Sequence, residues 1–74
     1  REYRVMTELE RRRDYIIVCG FGRLGEAVVE RLVEEQEHFV IVEKDPERIR
    51  LATAKRYLAV EGDAASPRLM EEIG

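Results

Sequence analysis

The chain has one cysteine, two prolines, no tryptophan and no apolar run longer than five residues. A single thiol, Cys19, closes no intrachain disulfide and supports no cysteine metal cluster. That usage suits a reducing cytoplasm. The apolar runs fall far short of the ~20 residues that cross a bilayer as a helix. There is no Pro/Gly/Ser linker, no low-complexity tract and no internal repeat. The lone histidine, His38, has no second ligand at metal spacing and reads as a surface residue of a connector.

A basic excess is also missing. Net charge is −3. Residues 1–13 balance at +2 and residues 14–74 at −5, so the body carries no nucleic-acid footprint. The 45% apolar fraction excludes a disordered chain. Seventy-four residues make one small domain or part of one. A domain of that size buries only roughly 60% of its unfolded surface.

What is present is organised. Tyr3, Met6 and Leu9 recur at helical spacing among Glu and Arg, which predicts an amphipathic helix over residues 2–12. The triplet Arg11-Arg12-Arg13 after it is either a solvated charge run or a contact for anionic headgroups. Residues 15–19 are apolar throughout, the pattern of a strand covered on both faces in a parallel sheet. Leu24, Ala27, Val28, Leu32 and Val33 then mark the inner side of a helix reaching about Glu35. A second strand is expected at 39–42, closed by Glu43. Asp45-Pro46-Glu47 is a helix start, with Asp as N-cap and Pro at the first helical position. A third strand is expected at 57–60, and Ser66-Pro67 opens a last helix whose apolar side is Leu69, Met70 and Ile73, with Gly74 as its cap.

The order helix, then β-α-β-α-β-α, implies right-handed crossovers and an α/β fold with a parallel sheet. The expected strand order is 3-2-1, the incomplete half of a doubly wound, Rossmann-like domain. The domain reading is a linker helix over 1–13 and a nucleotide-binding half over 14–74. Strand one then lies at an edge although it is uniformly apolar, a liability unless something covers it. The length therefore reads as the first three β-α units of a larger domain.

Gly20-x-Gly22-x-x-Gly25 stands between the first strand and its helix, the context in which this spacing carries meaning. Gly20 permits the tight turn, Gly22 lets backbone N–H groups approach a pyrophosphate, and Gly25 lets the helix pack on the strand. The helix N-terminus offers unpaired donors and partial positive charge. Glu43 ends the second strand, where a carboxylate accepts both hydroxyls of an adenosine ribose and repels a 2′-phosphate. NAD(H) or an adenine nucleotide (ATP, ADP or AMP) is thus expected, not NADP. Arg23 either lies over the phosphates or is solvated. Lys44 touches ribose or phosphate or is a plain surface lysine. Asp63 either faces the adenosine or satisfies its own turn. Cys19 reads as a small buried strand residue or a redox-sensing thiol.

The segments Ile-Ile-Val-Cys-Gly-Phe-Gly-Arg-Leu-Gly, Val-Ile-Val-Glu-Lys-Asp-Pro-Glu-Arg, Val-Glu-Gly-Asp-Ala-Ala-Ser and Leu-Met-Glu-Glu-Ile-Gly together resemble the first half of an RCK domain, a regulator of K+ conductance. The same family is known as the Trk-type K+ transport nucleotide-binding (KTN) domain. The resemblance covers residues 14–74. It implies a non-enzymatic regulatory domain on the cytoplasmic side of the cell membrane. Such a domain partners a K+ channel or transporter pore, forms a homo-oligomer (a dimer or gating ring) and gates ion flux on binding NAD(H) or an adenine nucleotide. It places Gly20, Gly22, Arg23 and Gly25 in the phosphate loop, Glu43 at the ribose and Asp63 near the adenine. The candidate cofactor residues are therefore Gly20, Phe21, Gly22, Arg23, Leu24, Gly25, Glu43, Lys44, Asp63 and Ala64, with no catalytic and no metal residue. Glu43 stands where Asp is commoner, and Ala65 where Thr or Asp is. The basic leader 1–13 resembles a channel's connector near the membrane. Two other readings fit the glycine loop: the cofactor half of an NAD-dependent dehydrogenase, and an oligomerisation module with a vestigial nucleotide site.

Overall fold

The computed structural model describes residues 14–74. The expected helix over 2–12 and the membrane-proximal reading of 1–13 lie outside the described residues. Six elements alternate: β1 (Ile16–Cys19), α1 (Arg23–Glu34), β2 (Phe39–Glu43), α2 (Pro46–Ala54), β3 (Ala59–Glu61) and α3 (Pro67–Ile73). The strands form one parallel sheet with β2 in the middle, the expected order. Val18 pairs with Ile41, and Val42 with Val60.

The central strand shows why its sequence lacks alternation. Val40 and Val42 belong to one apolar cluster, with Val60 and Ile73. Ile41, between them, belongs to another with Val18, Val29, Leu32, Ile49 and Ala52. So α1 and α2 cover one face of the sheet and α3 the other. A strand in the middle must be apolar on both sides. Val40 and Ile41 are fully buried.

Local chemistry fixes the helix starts. The Asp45 carboxylate accepts the Glu47 N–H at 3.0 Å, and Pro46 follows at a position that needs no amide donor. Ser66 accepts the Leu69 N–H in the same way, ahead of Pro67. The Gly74 N–H closes α3 on the Met70 carbonyl. Helices α1 and α2 both turn off through non-glycine residues in the left-handed region, Gln36 at φ 59° and Arg56 at φ 65°.

Three expectations shift. The third strand begins two residues later than the apolar run, because the Tyr57 N–H is held by the Ala52 carbonyl at the end of α2. The Tyr57 ring packs edge-on against Phe21 and Phe39 instead. Helix α1 seats Val29 and Leu32, while Leu24, Ala27, Val28 and Val33 are exposed. Its apolar residues span more than one stripe, and the sheet takes only one. Finally, β1 lies at the edge as expected but its two faces are covered only in part: Val18 and Ile17 pack inward, whereas Ile16 and Cys19 are exposed, so Cys19 is not a buried core residue.

Candidate functional site

All three strands point their carboxyl ends at one rim, and the glycine loop forms its first wall. Gly20 leaves β1 at φ +97°, a conformation that side chains resist. Its N–H still donates to the Val42 carbonyl at 2.7 Å, so the turn begins only after the sheet has used its last donor. Gly22 is the N-cap of α1, and no side chain caps this end. The first-turn N–H groups of a helix have no intrahelical partner, so the loop presents donors to the rim. Gly25 packs so closely that a Cβ would stand 2.2 Å from the Gly20 carbonyl oxygen. No side chain fits there, as the sequence reading requires.

Phe21 plays a different part. Its ring is buried in the α1/α2 core, so only its backbone reaches the site. That N–H donates to Glu43 Oε1 at 2.6 Å. The Asp45 N–H donates to Glu43 Oε2 at 2.8 Å. Glu43 is only 5% exposed, the one buried charged side chain among the described residues. Its own carbonyl accepts the Gly62 N–H at 2.9 Å. One residue thus ties the loops after β1, β2 and β3. Each carboxylate oxygen keeps a lone pair for a further donor. The extra methylene of Glu over Asp gives the reach from β2 to the glycine loop.

The remaining candidates spread out. Arg23, Leu24 and Lys44 are exposed. Asp63 accepts the Ala65 N–H at 2.9 Å and its carbonyl takes the Ser66 N–H, so it shapes its own turn. Ala64 packs against the α3-side core. A cavity of about 580 Å³ joins Gly20, Gly22, Arg23, Leu24 and Gly25 to the open flank of β1. Glu43, Lys44, Asp63 and Ala64 do not line it. Arg48 does, and sequence reasoning missed it. Its approach to Gly22 crosses from α2 to the glycine loop, a contact that no local pattern signals. Among the described residues no group of His, Cys, Asp and Glu could hold a metal.

The family model of the TrkA-N domain matches residues 16–74. The chain belongs to the TrkA-N domain family. Its relatives include the Trk system potassium uptake protein TrkA of Azorhizobium caulinodans, 33% identical over 80% of this chain and 13% of that protein. K(+) efflux antiporter 2, chloroplastic, of Arabidopsis thaliana is 30% identical over 95% of this chain and 6% of its own length. The probable potassium channel protein 2 of Methanocaldococcus jannaschii is 25% identical over 93% and 21%. The chain therefore spans only a small part of each relative. No solved structure matches significantly. The TrkA-N match supports the expected resemblance to K+ channel and transporter regulatory domains, and with it the Rossmann-like half-domain fold. No helix among the described residues is long and apolar enough to cross a membrane.

Proposed function

We propose that this chain is the nucleotide-binding part of a cytoplasmic regulatory domain that gates a K+ channel or transporter, and that it catalyses no reaction. The observation that carries the reading is the pairing of the glycine loop with Glu43. The loop offers backbone donors at the start of α1, and the buried carboxylate beside it holds the loop by the Phe21 N–H. Phosphates would take the donors, and ribose hydroxyls would donate to the free lone pairs of Glu43. That carboxylate would repel a 2′-phosphate, so NAD(H), ATP, ADP or AMP is favoured over NADP. Family membership and the potassium-transport relatives support the pore as partner. Differential affinity of the nucleotide for two states of a homo-oligomeric assembly would shift the gate.

Thermal unfolding with a panel of NADH, NAD, ATP, ADP, AMP and NADP tests this. A ligand at 100 times its Kd stabilises by about 2.7 kcal/mol, several degrees for a domain of this size. Gly22→Asp should abolish the shift, since it sets a carboxylate against the phosphates. If no adenine nucleotide shifts the wild type, or if Gly22→Asp shifts as the wild type does, the reading is wrong.

A further inference from the structure

The guanidinium of Arg48 reaches from α2 across to the glycine loop. A Cβ placed on Gly22 would lie 3.3 Å from Arg48 Nη1, 3.6 Å from Cζ and 3.9 Å from Nη2. The group therefore closes over the one loop residue that also caps α1. Its ion pairing among the described residues is slight. Nε stands 3.7 Å from Asp45 Oδ2, and both side chains are about half exposed. Asp45 already gives its other oxygen to the Glu47 N–H. The two Nη groups, those nearest Gly22, thus have no acceptor among the described residues.

The position is also one where the helix itself does not favour a cation. Arg48 sits in the first turn of α2, where the helix favours an acid and disfavours a cation. A second helix start, that of α1, and Arg23 add positive potential on the other side of Gly22. An anion between them would relieve all of these at once. The planar fork of arginine suits two oxygens of one phosphate or of two linked phosphates, which a lysine ammonium matches only as a point charge.

We propose that Arg48 is a ligand-binding residue of this site. It recognises the linked phosphates of an adenine nucleotide that carries at least a pyrophosphate, and so selects such ligands over AMP and adenosine. The proposal rests on the nucleotide-binding reading above and adds to it the ligand's phosphate chain. In the free protein Arg48 rests on Gly22 and Asp45. In the complex it turns from Asp45 to the phosphates.

Titration calorimetry of the full protein with adenosine, AMP, ADP and ATP, at low and high salt, tests it. Arg48→Gln should weaken ADP and ATP about 10- to 100-fold, the worth of one charge-assisted contact. Adenosine affinity should stay within about twofold of wild type, the unliganded melting temperature should be unchanged, and the salt dependence for ADP should flatten. Arg48→Lys should recover only part of the loss. Equal weakening of adenosine and ADP, or no weakening of either, would overturn the role of Arg48 while leaving nucleotide binding intact. A wild type that binds neither these four nor NAD(H) overturns the underlying reading, and this proposal with it.

Discussion

Replacing Glu43 by Gln should destabilise the fold even without a ligand. The carboxylate accepts two backbone donors, from Phe21 at 2.6 Å and from Asp45 at 2.8 Å, at a residue only 5% exposed. An amide has one acceptor oxygen. Whichever way it turns, one N–H meets an NH2 group and loses its partner. A buried donor left unpaired costs about 1–3 kcal/mol, and the surviving bond loses its charge assistance. Relief from burying a charge offsets part of this. The net expectation is a loss of about 2 kcal/mol, which for a domain of 60–100 residues lowers Tm by about 8–16 °C. Glu43→Asp should also destabilise, because one methylene fewer cannot serve both donors. Thermal and urea unfolding at neutral pH, without nucleotide, give the numbers. A Glu43→Gln variant that melts with the wild type would refute the idea that this carboxylate holds the loops together. It would leave Glu43 only a role toward ligand.

Three further outcomes follow from the same geometry. Gly25→Ala sets a Cβ against the Gly20 carbonyl, which cannot swing aside as a side chain would; it should cost about 1–3 kcal/mol in a urea titration and open the loop, so that nucleotide affinity falls too. Gln36→Gly relieves a left-handed side-chain residue at the end of α1; it should raise stability by about 0.5–1 kcal/mol, and a lowered urea midpoint would count against that assignment. The hydrogen bond to Glu26 and its charge raise the pKa of Lys55, linking the end of α2 to α1; the raised value means the contribution is present below the ordinary lysine pKa and fades as pH rises through the raised one. Lys55→Met should therefore lower stability slightly at neutral pH and low salt, with the difference from the wild type fading in alkaline solution and in high salt.

Much of the fold is written locally. Pro46 and Pro67, each after a capping side chain, mark two helix starts without reference to anything distant. The unbroken apolar run of β2 announces a strand buried on both faces. The failures have a common cause, which is that pattern reports how apolar a residue is but not what covers it. Tyr57 looks like strand and instead gives its N–H to the end of α2. The run in β1 looks like a strand covered on both faces, yet Ile16 and Cys19 are exposed. Helix α1 carries apolar residues for two stripes, and only the tertiary contact selects Val29 and Leu32. At the site, glycine spacing revealed the loop and its order revealed Glu43. The approach of Arg48 to Gly22 joins residues far apart in sequence, so no local pattern signals it.

The bonds of Glu43 also bear on how the rim opens. Phe21, Asp45 and Gly62 lie on three different loops, and each gives its amide hydrogen to this one residue. Fluctuations at the three places are therefore not independent. Their amide hydrogens should exchange with solvent at similar free energies, as one cooperative unit, and a ligand that ties down any one loop should slow all three.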